Sequence, residues 1–311
     1  MVSLTESFNL KGVVELRKLN ILVMGGDARY IDVIRQLSKH DMMVYIVGFN
    51  QLEWEEPHII PLSFKNVVFS NMDAILLPVA GVNESGTVST VYSDDEKIFL
   101  SEAMIAKTPR HCQIYTGLSN AFLDQIAHSQ NRNVIPLFAR DDIAILNSVP
   151  TAEGALQIAM EHTNFTIHRS NIIILGFGRV GITVARLFSA VGAQVTVAVR
   201  NPADQARISE MGLTSASIHQ LSKEMKDKDI CINTIPHEVL NSHVLKHVAK
   251  TTLIIDLASA PGGTNFDFAE SKGIQAIHAL GLPGKVAPQS AGSIIAHVLT
   301  TLLQVNETKD Y

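Results

Sequence analysis

The sequence predicts an α/β protein made of two doubly wound domains facing each other across a cleft. Short β-branched runs alternate with helical patterns along the chain, the signature of parallel sheets covered on both faces. A length of 311 residues is long for one domain and comfortable for two, each able to bury a core without disulfides or metal. A glycine-rich loop, "LGFGRVG", opens the second half instead of the first. In the first half the expected strands are "NILVMGG" (20–26), "MVYIVGF" (43–49), "DAILLPVAG" (73–81), "HCQIYTG" (111–117) and "NVIPLFA" (133–139). In the second they are "NIIILGF" (171–177), "QVTVAVR" (194–200), "DICINTIP" (229–236), "TTLIIDLAS" (251–259) and "IQAIHA" (274–279).

Between the halves, "SVPTAEGALQIAMEHTNFTIHRS" reads as a linking helix over 150–163, because Pro150-Thr151 suits a helix N-terminus. The expected division is therefore a substrate-facing domain over 1–149 and a nucleotide domain over 150–287. A last helix over 288–305 is expected to return and pack on the first domain. Residues 82–96 form the longest polar stretch between strands, and long loops in compact domains are often functional.

Composition excludes several classes. The chain is 46% apolar and 18% charged, with a formal net charge of -5, so no polyanion-binding surface is implied and nucleic acid is not an expected partner. Cys112 and Cys231 are the only cysteines and sit inside apolar runs, which suits buried thiols in a reducing, cytoplasmic compartment. The opening stretch "MVSLTESFNLKGVVELRKLN" has no uninterrupted apolar core and no small-residue cleavage site, so no signal peptide is expected. "SAGSIIAHVLTTLLQV" is too short and too polar for a membrane span. His243 and His247 stand one helical turn apart, but no third ligand lies nearby in sequence, and no metal site is expected.

The glycine loop has the context its chemistry needs: an apolar strand, Gly176, Gly178 and Gly181, a helix "ITVARLFSAVGA", and a second strand. Gly176 permits the tight turn, Gly178 lets the backbone approach a pyrophosphate, and Gly181 lets helix and strand pack closely. Phe177, Arg179 and Val180 complete the loop, and the free N–H groups of the helix start would face the phosphates. These features make the second domain a Rossmann-like, dinucleotide-binding one. An NAD site would place an acid at the end of the second strand; this chain has Arg200 and Asn201 there, with Asp204 beyond Pro202. A guanidinium matches a 2′-phosphate and a carboxylate would repel it, so NADP(H) is the expected cofactor. The turns Thr234-Ile235-Pro236 and Leu257-Ala258-Ser259 should line the same crevice.

The loops of the first domain offer donors for anionic oxygens: Arg29, Thr87, Ser89, Ser119, Asn120, Arg140, Asn147, Ser148 and Thr151. They suggest a small acidic substrate in the cleft. Asp141, Glu153 and His237 are the candidates for moving a proton.

Taken together, "GGDARYIDVIRQL", "SGTVSTVYSDDE", "FARDDIAILNSVPTAEG", "LGFGRVGITVAR", "LIIDLASAPGGTNFDFAE" and "GLPGKVAPQSAG" resemble the A-subunit family of bacterial dipicolinate synthase, over about residues 19–305. The resemblance implies NADP-linked formation of pyridine-2,6-dicarboxylate from a dihydrodipicolinate-level precursor of the lysine pathway, in the mother-cell cytoplasm during sporulation. It also implies a partner, the flavoprotein-like B-subunit of the synthase; assembly into an oligomer is expected. Two alternatives stay open. An alanine or 2-hydroxyacid dehydrogenase shares the two-domain layout, but "DLASAPGG" lacks the arginine and "LGLPGKVAP" the histidine of the hydroxyacid group. The other is a non-catalytic NADP-binding subunit that supports its partner.

Overall fold

The structure, a computed structural model, describes residues 18–40, 42–93 and 97–307. The stretch read above for a signal peptide lies outside these residues except for its last three positions, and so do Asp94, Asp95 and Glu96 of the polar loop.

The first domain carries β1 (Leu19–Met24), α1 (Ala28–Ser38), β2 (Met42–Val47), β3 (Ile59–Pro61), β4 (Ala74–Leu76), α2 (Glu102–Ile105), β5 (Gln113–Thr116), α3 (Ala121–Ser129) and β6 (Val134–Pro136). After α4 (Asp141–Glu161), the second domain carries β7 (Asn171–Leu175), α5 (Arg179–Ala190), β8 (Gln194–Val199), α6 (Pro202–Glu210), β9 (Thr214–Ser217) and α7 (Leu221–Glu224). It continues with β10 (Ile230–Asn233), α8 (Ser242–Leu245), β11 (Leu253–Asp256), α9 (Phe266–Lys272) and β12 (Ala276–His278). Two helices close the chain, α10 (Leu282–Val286) and α11 (Pro288–Glu307).

Both sheets have six strands and the same order, β3-β2-β1-β4-β5-β6 and β12-β11-β10-β7-β8-β9, and every pairing is parallel. Each is the doubly wound Rossmann arrangement with its switch point beside the first strand of the domain. The central strands are apolar on both faces, as a covered parallel sheet requires: Ile21 to Met24 and Ile172 to Leu175 are fully buried. Two strands escape the sequence pattern, β3 and β9. Each is a short edge strand, and β9, "TSAS", carries no large apolar residue.

The helix between the domains corrects one expectation. It starts at Asp141, not Pro150, and ends at Glu161 with Pro150 inside it. Proline has no N–H for the Leu146 carbonyl, yet the helix runs on because each of its halves is anchored in a core. Ile143 belongs to the core of the first domain, while Ala152, Ala155 and Ala159 belong to that of the second. Two hydroxyls bond neighbouring carbonyls in this turn: Ser148 donates to Ile145 O (2.6 Å) and Thr151 to Asn147 O (2.8 Å).

Helix α11 lies against the first domain, burying Ile295, Ala296, Val298, Leu299 and Leu303 with Val33, Ile34 and Leu37 of α1. The approach is close: a Cβ on Gly292 would collide with the carbonyl oxygen of Arg29. Ser293 Oγ donates to Asp32 Oδ2 at 2.6 Å.

Candidate dinucleotide site and facing cleft

The glycine loop leaves β7 at Leu175 and enters α5 at Arg179. Gly176 has φ +95°, and a Cβ there would lie 2.6 Å from Thr234 Oγ1. A Cβ on Gly181 would strike the carbonyl oxygen of Gly176, so only glycine lets α5 seat this close to the strand end. Gly178 differs: no atom lies within 4 Å of where its Cβ would be, because it faces open space. Helix α5 has no side-chain cap, so its first-turn N–H groups and positive dipole end remain available to an anion. Strand end, glycines and uncapped helix together fit a pyrophosphate.

Beside the loop runs a groove of about 830 Å³. Gly176, Phe177, Gly178, Arg200, Asn201, Thr234, Ile235, Pro236 and His237 line it, so most of the cofactor residues expected from the sequence share one cavity. Val199, Ile218, Val239 and Val244 supply an apolar wall that the sequence reading did not identify. Asn201 caps α6 through the Ala203 N–H (2.9 Å). Arg200 is exposed at the end of β8 and joins no ion pair among the described residues. Asp204, one turn into α6, and His219 also border the groove. Val180 is half-buried and packs on the domain core.

Under the far wall lies a network that the sequence reading missed. Asp256, at the end of β11, is fully buried and accepts four hydrogen bonds. They come from Asn233 Nδ2 (2.9 Å), Ala258 N–H (3.0 Å), Gly263 N–H (2.8 Å) and the Thr264 hydroxyl (2.6 Å). Asn233 in turn donates to Ile235 O (3.1 Å) and accepts from Ile235 N–H (3.1 Å). One carboxylate thus fixes both the 234–236 turn and the 257–263 turn. Leu257 and Ala258, expected at the cofactor, are not among the residues that line the groove: Leu257 is half-buried against the core, and Ala258 is buried with its N–H on Asp256. The signal available in sequence was the alignment of "INTIP" and "IDLAS" at the ends of neighbouring strands.

Across the cleft, the candidates in the first domain divide. Arg29 is 8% exposed and its guanidinium grips Asp27 through Nε (2.9 Å) and Nη2 (2.5 Å). Burial works to raise the Asp27 carboxyl, but the hydrogen bonds and charge of Arg29 outweigh it and hold the group below its ordinary value. Asn120 is a helix cap: its Oδ1 accepts from Leu123 N–H (2.9 Å) and its Nδ2 donates to Val82 O (2.6 Å). Ser119 donates to Asp124 (2.5 Å), and Thr87 shares a 3.1 Å hydroxyl contact with Ser85 in the exposed 83–87 turn. The Ser89 carbonyl receives Gly26 N–H (3.1 Å). The Thr151 hydroxyl and the Asn147 carbonyl serve each other within α4.

Of the proton-transfer candidates, His237 lines the groove, and Glu153 lies exposed on α4 away from it. Asp141 receives Arg179 Nη1 at 2.9 Å, so the glycine loop is tied to the start of α4. A second link, 2.6 Å between the Ser148 and Thr183 hydroxyls, joins the same two helices.

The first domain matches the family described as the N-terminal domain of the dipicolinate synthase A-subunit, over residues 20–138. The dipicolinate synthase A-subunit of Bacillus subtilis is 48% identical over 288 residues, which are 93% of this chain and 97% of that protein. The chain belongs to the dipicolinate synthase A-subunit family. Solved members of this family share its fold. A crystal structure from Bacillus halodurans aligns with TM-score 0.89 and 48% identity, covering 92% of this chain and 97% of that one. One from Bacillus subtilis aligns with TM-score 0.90 and 46% identity, covering 94% and 98%. Residues 148–262 match the NAD-binding domain of D-isomer-specific 2-hydroxyacid dehydrogenases, so this member carries a nicotinamide-dinucleotide domain of the dehydrogenase kind. Among its described residues no helix is long and apolar enough to cross a membrane.

Proposed function

We propose that the protein is the component of a dipicolinate synthase that binds NADP and oxidises a dihydrodipicolinate-level precursor to pyridine-2,6-dicarboxylate during sporulation, in the mother-cell cytoplasm, working with a second subunit. The observation that carries the cofactor half is Arg200, exposed and without an ion-pair partner among the described residues, at the strand end where an NAD site would hold an acid. Gly176 to Gly181 would cradle the pyrophosphate, Arg200 and Asn201 would receive the 2′-phosphate, and the Asp256-braced turns would border the nicotinamide end.

When bound, the cofactor supplies a two-electron acceptor for a ring that must lose one hydride and one proton to become aromatic. The chain's own part is to hold the substrate and exclude water. The charged pair Arg29–Asp27 lies at the carboxyl end of β1, where ligands bind in such sheets. Arg29 Nη1 makes no hydrogen bond among the described residues, so it can serve a carboxylate. Aromatisation itself favours proton loss, so the demand on a protein base is small. A 2-hydroxyacid reaction is disfavoured by the same turns, which lack the arginine and histidine that it needs.

The test is to measure NADPH and NADH dissociation constants for wild type and Arg200→Ala, and to follow nicotinamide and pyridine absorbance with enzymatically generated dihydrodipicolinate, with and without the partner subunit. The expected results are at least a tenfold NADPH preference, erased by Arg200→Ala, and dipicolinate formed in step with NADPH. Equal affinities in wild type would refute the NADP assignment. Dipicolinate formed without nicotinamide turnover would refute the oxidation on this chain.

A further inference from the structure

The end of β9 enters the nucleotide groove beside Arg200. Strands β8 and β9 run parallel with Val199 opposite Ser217. Arg200 and the turn Ile218–Gln220 therefore leave neighbouring strands at the same carboxyl edge, where strands lie about 4.8 Å apart. Ser217 fixes that turn, its hydroxyl accepting from the His219 N–H at 3.3 Å, and Leu221 is buried just after it. Ile218 and His219 both line the groove with Arg200. His219 is exposed, and its ring nitrogens have no hydrogen-bond partner among the described residues.

The charged and titratable side chains bordering this groove are Arg200 after β8, Asp204 on α6, His219 after β9, and His237 and Glu238 after β10. Strands β7 and β8 separate β10 from β9, so His237 and Glu238 belong to the opposite wall. Lys223 and Glu224 of α7 and His243 of α8 stand on neighbouring elements but are not among the lining residues. A phosphate monoester carries about −1.5 to −2 charges at pH 7. With His219 neutral, the charges of Arg200 and Asp204 offset each other, and a 2′-phosphate at the β8 end meets no net positive charge. A protonated His219 supplies one.

We propose that His219 is a second recognition residue for the 2′-phosphate, so that protonation of its ring sets how strongly this chain prefers NADP to NAD. The proposal rests on the NADP reading above and deepens it by naming a residue that the β9 end brings to Arg200 from the next strand. Arg200 serves the phosphate at every pH, because a guanidinium stays charged. An imidazole changes charge between about pH 5 and 8, so His219 makes the preference pH-dependent.

The experiment is fluorescence titration of NADPH and of NADH into the full chain at about pH 6 and about pH 8.5, either side of the imidazole range, for wild type, His219→Gln and His219→Arg. His219 is exposed, so both variants are expected to fold, and unchanged NADH affinity verifies that they have. At the lower pH, His219→Gln should weaken NADPH about fivefold; at the higher pH the loss should be under about twofold. The phosphate's own titration, near about pH 6, is common to all three proteins and cancels in each ratio of variant to wild type. His219→Arg should hold NADPH at least as tightly as wild type at both pH values. Equal NADPH affinity of wild type and His219→Gln at the lower pH overturns the role of His219 and leaves the NADP reading standing. An equal loss of NADH and NADPH affinity also overturns it, moving His219 to the adenosine that both share. A loss as large at the higher pH as at the lower overturns the role of protonation. Wild type that binds NADPH and NADH equally at both pH values overturns the NADP reading and this site together.

Discussion

Replacing Asp256 by asparagine keeps the size of the side chain and removes its ability to accept on both oxygens. Four donors converge on that fully buried carboxylate. If the amide nitrogen takes the Oδ1 place, it meets Asn233 Nδ2 and the Ala258 N–H; if it takes the Oδ2 place, it meets the Thr264 hydroxyl and the Gly263 N–H. The hydroxyl can turn and accept, but the Gly263 N–H cannot, so even the better orientation orphans one buried donor. An orphaned buried donor costs about 1–3 kcal/mol, and the remaining bonds lose their charge assistance. The sum is about 3 kcal/mol, which at roughly 2–4 °C per kcal/mol lowers Tm by roughly 6–12 °C. NADPH affinity should fall as well, because the same carboxylate holds the 234–236 and 257–263 turns. Thermal unfolding by circular dichroism and fluorescence titration of NADPH check both effects. A Tm within about 2 °C of wild type with unchanged NADPH affinity would refute the bracing role.

The two loop glycines should separate folding from binding. Gly178→Ala places its methyl in open space, so Tm should stay within about 1 °C while NADPH binding is lost to the methyl standing in the path of the phosphates; Gly181→Ala collides with the Gly176 carbonyl and should lower Tm and affinity together, with equal behaviour of the two variants contradicting the loop geometry. Arg200→Glu should reverse the preference to NADH, read as the ratio of the two dissociation constants; a ratio unchanged from wild type contradicts the role of Arg200. Burial pushes the Cys112 thiol up to about 11, from an ordinary value of about 8.5. The raised folded-state pKa means that the folded chain holds this proton more tightly than the unfolded chain. Its contribution to stability is therefore complete below about pH 8.5 and is lost as pH rises towards 11. Urea unfolding from pH 8 to 10.5 should show that loss, and Cys112→Ala should lessen it without removing it, because burial raises the thiol of the fully buried Cys231 further still.

The sequence carries the central strands and the glycine loop plainly because both are local patterns. Strand apolarity and the Gly176, Gly178, Gly181 spacing need no knowledge of the rest of the chain. Edge strands β3 and β9 are harder to read, since an edge position places weak demands on side-chain character. Pro150 misleads for a related reason: its local preference marks a helix start, and burial of α4 in two cores overrides it. At the site, Arg200 is legible because strand ends in this fold have known positions. Asp256 is not, since its partners lie 23 residues before it in Asn233 and 8 after it in Thr264. Asn120 shows a second limit of local reading: a polar side chain in a loop reads as a ligand group, and its role as the cap of a helix start emerges only with α3 in place. Arg179 meeting Asp141 and Gly284 meeting Arg29 are products of domain packing, invisible to any reading of single segments.

Everything proposed for the cleft depends on the substrate's hydride leaving, on this chain, for a nicotinamide whose pyrophosphate lies over Gly176 to Gly181. The direct measurement uses a dihydrodipicolinate-level precursor deuterated at its saturated ring carbons, incubated with NADP, the protein and its partner subunit, followed by mass spectrometry of the recovered nicotinamide. One deuterium is expected in the reduced cofactor for each dipicolinate formed, and none when Gly178→Ala replaces the wild type. Dipicolinate formed with unlabelled nicotinamide, all of the deuterium having passed to solvent or to the partner, would contradict hydride transfer on this chain.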